Sequence, residues 1–387
     1  MAELDDLKRF ELSHERGFLP VQDPARALPP ELAEWDEVGA DLPKLLAAGR
    51  ARAALAALPR LDPHTLPGGA PLRRARLLLS YFGHAWVWGG PEPDARIPAA
   101  IAVPWCAVAA RLGRPPVLSY ASYALDNWRR LDPAGPLDLS NLAILQNFLG
   151  GADEDWFILV HLEIEARAAR VLAELGPASA AVAANDTRAL AERLERIGAG
   201  IESLCQSLGR MPELCDPYVY YRRVRPYIHG WKDHPLLPEG VVYEGVAEHG
   251  GQPQRLRGET GAQSGIVPAL DAALGVAHAG DPLRAYLAEM RDYMPPGHRE
   301  FLAAVEAAPP LRAMVAASGD AELRAAYDEC LRWLESFRST HLDYAARYIH
   351  RQSATGAANP TAVGTGGTPF MAYLRKHRDE TSRHRLV

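Results

Sequence analysis

Residues 323–348 read LRAAYDECLRWLESFRSTHLDYAARY, and their spacing decides the fold class. One set of side chains recurs there at alternating steps of four and three residues. All are apolar, aromatic or thiol except one histidine: Leu323, Tyr327, Cys330, Leu334, Phe337, His341, Tyr344 and Tyr348. Such steps place side chains on one face of an α-helix. The stretch therefore predicts a long helix with a buried face, and that face carries one imidazole, at position 341.

A second stretch, residues 156–175, repeats this pattern. Its stripe again holds one histidine and consists of Phe157, His161, Ile164, Ala168, Val171 and Leu175. Three acidic residues at 153–155 precede it and suit the N-terminus of a helix, because they can cap it and interact with its dipole. The two stretches predict that two long helices each place one imidazole among apolar side chains.

The rest of the chain is also mostly helical in pattern. Further helical periodicity covers 31–58, 72–88, 98–112, 180–208, 268–276, 282–294 and 299–307, whereas the best strand candidate, 241–246, is short. We place a boundary between two domains near residues 139–151. We therefore expect an all-α protein with a small N-terminal helical domain, residues 1–145, and a larger C-terminal helical domain, residues 146–387.

Composition narrows the class of protein. The 387 residues hold 42 Lys plus Arg against 48 Asp plus Glu, a net charge of −6 that argues against a nucleic-acid surface. No apolar run of about 18 residues suggests a membrane span. The first nine residues are acidic and polar and do not resemble a signal peptide, and the four cysteines lack zinc-finger spacing. These features predict a cytoplasmic protein with reduced thiols.

His341 and His161 each have two interpretations. A lone histidine on an apolar face is most often a hydrogen-bonded core residue. A neutral imidazole can also bind a metal ion or a haem iron, and two histidines on separate helices favour this more than one does. In that case His161 could be a second axial ligand, or a distal group that hydrogen-bonds a substrate or dioxygen. The pattern leaves both open.

Two other segments suggest a binding site. Residues 220–227, YYRRVRPY, mix aromatic rings with three arginines, and Tyr221 and Arg225 share one helical face. An arginine beside aromatic rings can hold a carboxylate, although a solvated basic face is the better interpretation of Arg222 and Arg223. Residues 364–368, GTGGT, lack the phosphate-loop form and favour a loop that closes over a substrate, with a featureless linker as the alternative.

Several blocks of sequence together resemble the indoleamine 2,3-dioxygenase family. They are residues 101–106 (IAVPWC), 115–120 (PPVLSY), 156–160 (WFILV), 223–232 (RVRPYIHGWK), 240–245 (GVVYEG), 290–299 (MRDYMPPGHR), 336–341 (SFRSTH) and 364–368 (GTGGT). The resemblance implies an enzyme with one haem b per chain in the larger domain. With dioxygen it would open the indole ring of L-tryptophan to N-formylkynurenine, as in the kynurenine pathway. It also implies an electron donor that keeps the iron ferrous, and a monomer.

The resemblance assigns roles to particular residues. It implies that His341 is the proximal iron ligand, that Arg338 meets a haem propionate and that Thr260 lies near the haem edge. Phe157, Tyr120 and Tyr123 would line the distal pocket. The substrate would meet Arg225 at its carboxylate, Tyr220 at its indole ring, and Gly366 and Thr368 in the closing loop.

Some residues depart from the family pattern. His161 stands where a serine is familiar and is similar to the distal histidine of the sister family, tryptophan 2,3-dioxygenase. Tyr123 and Tyr220 are more polar or bulkier than the usual residues, so the substrate could instead be a substituted indole or tryptophan of secondary metabolism, oxidised by a mono- or dioxygenase. A haem sensor without turnover is a further alternative, which coordination of the iron by both histidines would favour.

Overall fold

The computed structural model describes residues 4–278, 282–353 and 370–386, and this part of the chain is almost entirely helical. The α-helices are α1 (Ala33–Ala47), α2 (Ala51–Ala56), α3 (Ala70–Trp88), α4 (Ala99–Arg111), α5 (Ala152–Ala183), α6 (Thr187–Gly209), α7 (Pro217–Val219), α8 (Arg225–Ile228), α9 (Ile266–Leu274), α10 (Pro282–Arg291), α11 (Pro296–Ala307), α12 (Leu311–Ala317), α13 (Ala321–Ala345), α14 (Arg351–Ser353) and α15 (Phe370–Arg383). The strands are β1 (Arg96–Ile97), β2 (Arg129–Arg130), β3 (Leu142–Ala143) and β4 (Val242–Tyr243).

The predicted all-α class is confirmed, and the strands are minor. The strand predicted at 241–246 shrinks to β4, which pairs in parallel with β1, while β2 and β3 form an antiparallel pair. Gly240 and Gly245 flank β4 with φ angles of 92° and 74°, outside the extended region. The ladder therefore ends after two residues on each strand.

Three long helices form the frame of the C-terminal half. Helix α6 packs along both α5 and α13. The side-chain carboxylate of Asp320 accepts hydrogen bonds from the backbone N–H groups of Glu322 and Leu323 at the start of α13, and Asp186 caps α6 in the same way through Ala189. These caps fix where α13 and α6 begin, and the packing of α6 along both partners then sets the positions of the stripes of α5 and α13.

The buried apolar side chains form two clusters. The first combines residues between 19 and 162 with segments between 228 and 246 and between 286 and 293. The second combines residues between 4 and 18 with segments between 156 and 224 and between 266 and 348. Phe157 and Leu159 of α5 pack against both clusters. Because each cluster draws on distant parts of the chain, the two-domain division at 145/146 stays a prediction.

In the described part of the chain, three π-helical turns interrupt or extend the α-helical pattern. They span Ala121–Leu125, Tyr220–Val224 and Ala346–His350, the last directly after α13. A π-turn inserts an extra residue into the helical repeat and is frequent at functional sites. Two of these turns hold the predicted site residues Tyr123 and Tyr220.

Within the described ranges, no helix combines the length and the apolar run that crossing a bilayer requires. All four cysteines are free thiols: Cys106, Cys205, Cys215 and Cys330.

Candidate functional site

Five predicted site residues form one aromatic cluster beside α5. The ring of Phe157 lies 4.5 Å from that of His161, 4.6 Å from that of Tyr220 and 6.3 Å from that of Tyr123, measured between centroids. Tyr120 meets His161 edge to face at 6.0 Å. The structure therefore brings together side chains that are up to 100 positions apart, which we call the distal cluster.

His161 has a defined tautomer in this cluster. Its Nδ1 lies 2.7 Å from the carbonyl oxygen of Phe157, one turn earlier on α5. Because a carbonyl only accepts hydrogen bonds, Nδ1 carries the proton. Burial lowers the pKa of His161, against the opposing effect of this hydrogen bond, so the ring is neutral near pH 7. Its Nε2 therefore offers a lone pair, which can accept a hydrogen bond or bind a metal.

The carboxyl group of Glu165 contacts the distal cluster through Tyr120. Glu165 follows His161 by one helical turn, and its Oε1 accepts hydrogen bonds from the Tyr120 hydroxyl at 2.9 Å and the Ser264 hydroxyl at 2.8 Å. Its Oε2 is buried and has no hydrogen-bond partner among the residues that the structure describes. Burial raises the pKa of Glu165 to about 7. The carboxyl can therefore hold a proton at neutral pH.

The sequence analysis did not identify Glu165 or Ser264. Glu165 lies four residues after His161 and shares its helical face. The predicted stripe instead continued to Ile164, three residues after His161, because a stripe is defined by its apolar residues. The pairing with Ser264 spans 99 residues, so no local pattern could reveal it.

Arg225 is fully buried at the first position of α8. Its guanidinium carbon lies 5.4 Å from the centroid of the Tyr221 ring, which confirms the predicted proximity of these two side chains. Burial lowers the pKa of Arg225, whereas Tyr220 and Tyr221 raise it. Arg223 is exposed, as expected for a solvated basic face. Arg225 is thus the buried cation next to the distal cluster.

His341 lies on α13 and faces a different environment. Leu323, Tyr327, Cys330 and Leu334 of the predicted stripe are buried, but His341 is exposed, so the expectation of a fully buried stripe is wrong at this position. Burial is nevertheless the largest of the effects that lower its pKa to about 4, and the charges of His161 and Arg338 lower it further. The ring is therefore accessible, yet enough protein surrounds it to disfavour its charged form.

The imidazole of His341 is open on both nitrogens. Within residues 4–278, 282–353 and 370–386, no group forms a hydrogen bond with the ring. The effect of His161 on its pKa places the two imidazoles within electrostatic reach of each other. A neutral, accessible imidazole without a hydrogen bond to any described residue can bind a metal centre through one nitrogen.

Arg338 lies one turn before His341 and is buried. Its Nη2 lies 2.6 Å from Oδ2 of Asp271, and its Nη1 hydrogen-bonds to the Thr381 hydroxyl and to the carbonyl oxygen of His377, the latter at 3.3 Å. The guanidinium is thus already held by α9 and α15. Its contact with a haem propionate stays a prediction.

Thr260 and its neighbour Glu259 lie on a loop that meets the distal cluster. The Thr260 side chain caps the 3₁₀ turn Gly261–Gln263, and Gln263 accepts a hydrogen bond from the backbone N–H of Tyr120 at 2.8 Å. Glu259 is buried, and burial raises its pKa to about 8. Burial raises the pKa values of Tyr120, Tyr123 and Tyr220, and the Glu259 carboxylate adds a smaller effect in the same direction, so it lies within electrostatic range of all three.

The predicted loop residues Gly366 and Thr368 lie outside the described residues.

The chemistry of these residues fits a haem. A haem needs a neutral imidazole with an open nitrogen, apolar or aromatic walls, and cationic side chains for its carboxylates. His341 provides the first, Phe157, Tyr123 and Tyr220 provide aromatic walls on the side of His161, and Arg338 is a cation one turn from His341. Among the described residues of this site, His341 and His161 each have an imidazole nitrogen that could ligate its iron.

Comparison with known proteins gives one consistent result. The family model described as "Indoleamine 2,3-dioxygenase" matches residues 6–384. The chain is 37% identical to indoleamine 2,3-dioxygenase 1 of Rattus norvegicus, across 97% of this chain and 95% of the relative. It is 34% identical to indoleamine 2,3-dioxygenase 2 of Homo sapiens, across 97% and 94%. It is 33% identical to the indoleamine 2,3-dioxygenase of Saccharomyces cerevisiae, across 98% and 94%.

Proposed function

The chain belongs to the indoleamine 2,3-dioxygenase family, and on that premise we propose that it converts L-tryptophan into N-formylkynurenine. As a member of the family it is an oxidoreductase that binds haem iron and uses dioxygen on a tryptophan-like indole. In the proposed reaction both atoms of dioxygen are inserted across the C2–C3 bond of the indole, and that bond breaks.

His341 is the proposed proximal ligand of the iron. Its ring is neutral, accessible and without a hydrogen-bond partner in the described part of the chain, whereas His161 is committed to the Phe157 carbonyl through one nitrogen. When bound, haem supplies the iron centre at which dioxygen is activated. Arg338 and Thr260 are proposed to contact the haem from α13 and from the loop next to the distal cluster.

The distal cluster and Arg225 are proposed to orient the substrate. A buried guanidinium can pair with the α-carboxylate through two hydrogen bonds, and Arg225 is fully buried beside Tyr220 and Tyr221. Phe157 and Tyr220, whose rings lie 4.6 Å apart, pack against the indole. Tyr120 and Tyr123 complete the walls and exclude water from the pocket.

His161 is proposed to accept a hydrogen bond from the indole N–H. The proton on Nδ1 leaves Nε2 as the acceptor, and the lowered pKa keeps the ring neutral. This contact would fix the orientation of the ring plane and hence which carbon atoms face the oxygen. Gly366 and Thr368 remain proposed contacts of the substrate amino-acid group.

The observation that carries this proposal is a buried arginine beside a cluster of aromatic rings and a neutral histidine. The test is turnover of L-tryptophan by the reduced, haem-loaded protein under ¹⁸O-labelled dioxygen, followed by mass spectrometry of the product. Two labelled atoms in N-formylkynurenine support the proposal. One labelled atom indicates a monooxygenase, and absence of turnover with intact haem binding favours a sensor.

A second candidate substrate is an indole with a polar group on its benzene ring. The Tyr123 hydroxyl is buried and has no hydrogen-bond partner among the described residues, and the Glu259 carboxyl lies within electrostatic range of it, so the pocket walls carry more hydrogen-bonding groups than an unsubstituted indole needs. A comparison of kcat/KM for L-tryptophan with that for hydroxy- and amino-substituted tryptophans decides between them. A preference for L-tryptophan over every substituted form would reject this second candidate.

The biological setting is part of the proposal as well. We propose a monomeric, cytoplasmic enzyme of tryptophan catabolism through the kynurenine pathway, with an electron donor that keeps the iron ferrous. Size-exclusion chromatography with light scattering tests the monomer, and loss of kynurenine from cells that lack the gene tests the pathway.

A further inference from the structure

A cluster of two histidines and one glutamate joins α15 to the end of α9. His278 follows α9, while His377 and Glu380 lie on α15. The Nδ1 atom of His278 lies 2.7 Å from Oε2 of Glu380, and the rings of His278 and His377 stack with centroids 4.0 Å apart. One potential ligand atom from each of the three residues lies within 4.8 Å of the other two.

The spacing of these residues explains why they converge. His377 and Glu380 are three positions apart, so they share one face of α15. Gly275 ends α9 in the left-handed region with φ of 69°, which turns the chain so that His278 reaches that face. Glu380 is buried and His278 and His377 are half-buried, so the three groups meet out of bulk solvent.

The donor types suit a transition metal of the zinc class. Two imidazole nitrogens and one carboxylate oxygen form a common three-ligand set for zinc, with a water as fourth ligand. In this structure His278 donates one N–H to Glu380, at 2.7 Å, and the other to Asp271, at 3.1 Å. A metal ion at Nδ1 would replace the proton shared with Glu380, and the bond to Asp271 would remain.

Asp271 contacts the proposed ligand His278 on the side away from Glu380. Its Oδ2 accepts from Nε2 of His278 and also pairs with Arg338 at 2.6 Å. A metal-bound histidine usually donates its second N–H to a carboxylate, which fixes the ring and makes it a better ligand. Asp271 is therefore placed to orient His278 as a ligand.

We propose that His278, His377 and Glu380 bind one divalent transition-metal ion, with zinc as the best match to the donor set. The ion holds α15 against the end of α9. Because Asp271 links the site to Arg338, one turn before His341, the ion also stabilises the part of α13 that carries His341. None of its three ligands is a proposed ligand of the iron, and the site does not depend on the proposed substrate.

The test uses the haem-loaded full-length protein, isolated in the presence of zinc and also after treatment with a chelator. Elemental analysis is expected to find about one zinc per chain in addition to iron. Cobalt(II) added to the chelated protein is expected to give the visible absorption of a tetrahedral site, which zinc then removes.

Variants assign the site to these side chains. His377→Ala and Glu380→Gln are each expected to weaken cobalt binding by more than about tenfold. Asp379→Asn is the matched control, since it removes a charge from the neighbouring, more exposed position of the same helix and should bind cobalt like the unmodified protein.

A measurement on the unmodified protein covers the case in which a variant does not fold. Zinc is expected to slow amide hydrogen exchange in residues 371–386 and 271–278. No zinc above background, together with exchange rates that zinc does not change, would overturn the proposal and leave the cluster as an ion-paired contact between helices. Equal cobalt affinity in folded His377→Ala and the unmodified protein would overturn it as well.

Discussion

The histidines of α5 and α13 sit in similar sequence patterns but in different surroundings. His161 is held by the Phe157 carbonyl at 2.7 Å and surrounded by the rings of the distal cluster. His341 is accessible and has no hydrogen bond to any described residue. The same periodicity therefore produced one histidine whose protonation and orientation are fixed locally, and one whose ring is open to a ligand. This contrast underlies the assignment of His341 to the iron and His161 to the substrate.

The largest expected effect comes from removing His341. His341→Ala should lower the haem content of purified protein by more than about tenfold, because the axial bond is lost. The measurement is the pyridine haemochromogen assay per mole of protein. His64→Ala, at an exposed position far from α13 in sequence, serves as the control and should keep its haem. Full haem content in His341→Ala would contradict the assignment of His341 as the iron ligand.

The next effect concerns the substrate side of the molecule. Arg225→Ala should lower kcat/KM for L-tryptophan by about 10²-fold or more, because truncation of a buried ion pair costs about 2–5 kcal/mol. Haem content should not change. Steady-state kinetics of Arg223→Ala, at the exposed neighbouring arginine, provide the matched control and should equal those of the unmodified enzyme. Comparable losses in both variants would contradict a specific carboxylate contact.

The protonation of Glu165, beside the distal cluster, can be tested through the pH dependence of the free energy of unfolding. Its pKa rises from 4.5 to about 7 on folding, so the folded state retains a proton that the unfolded state releases. Glu165 therefore makes stability fall as pH rises from about 4.5 to about 7, with no further change above, an effect of up to about 3 kcal/mol. The free energy of unfolding of the unmodified protein minus that of Glu165→Gln should decrease between pH 5 and pH 8.

The control for this measurement is Glu192→Gln, because Glu192 is exposed on α6. Its difference from the unmodified protein should not vary in the same pH range. A constant difference for Glu165→Gln too would mean that Glu165 is ionised in the folded state throughout.

The smallest effect isolates the proposed hydrogen bond of His161. His161→Ala should lower kcat/KM for L-tryptophan by at most about tenfold, the value of one neutral hydrogen bond. For 1-methyl-tryptophan, which lacks the indole N–H, the same substitution should have a clearly smaller effect. Equal losses for the two substrates would show that His161 acts through packing alone.

Periodicity predicted what depends on neighbours in the chain. The all-α class and the helices around His161 and His341 follow from stripes with a repeat near 3.6 residues, and the pairing of Tyr221 with Arg225 follows from a step of four. The identities of the distal aromatic residues came from the family resemblance, and the structure places those residues in one cluster.

Periodicity could not predict contacts between distant segments. Asp271 binds Arg338 from 67 positions away, and Ser264 binds Glu165 from 99 positions away. The π-turns also escaped prediction, because one extra residue in a helix changes which side chains share a face without changing composition. For the same reason the exposure of His341 was not expected, since a stripe of side chains does not indicate where the packing partner ends.

The coordination of the iron in the reduced protein tests the contrast between the two histidines most directly. Absorption and resonance Raman spectra of the ferrous, substrate-free protein should indicate one histidine ligand, and His161→Ala should leave the spin state unchanged. A low-spin iron with two histidine ligands that becomes high-spin in His161→Ala would contradict the account, because His161 would then be a ligand and not an acceptor for the substrate.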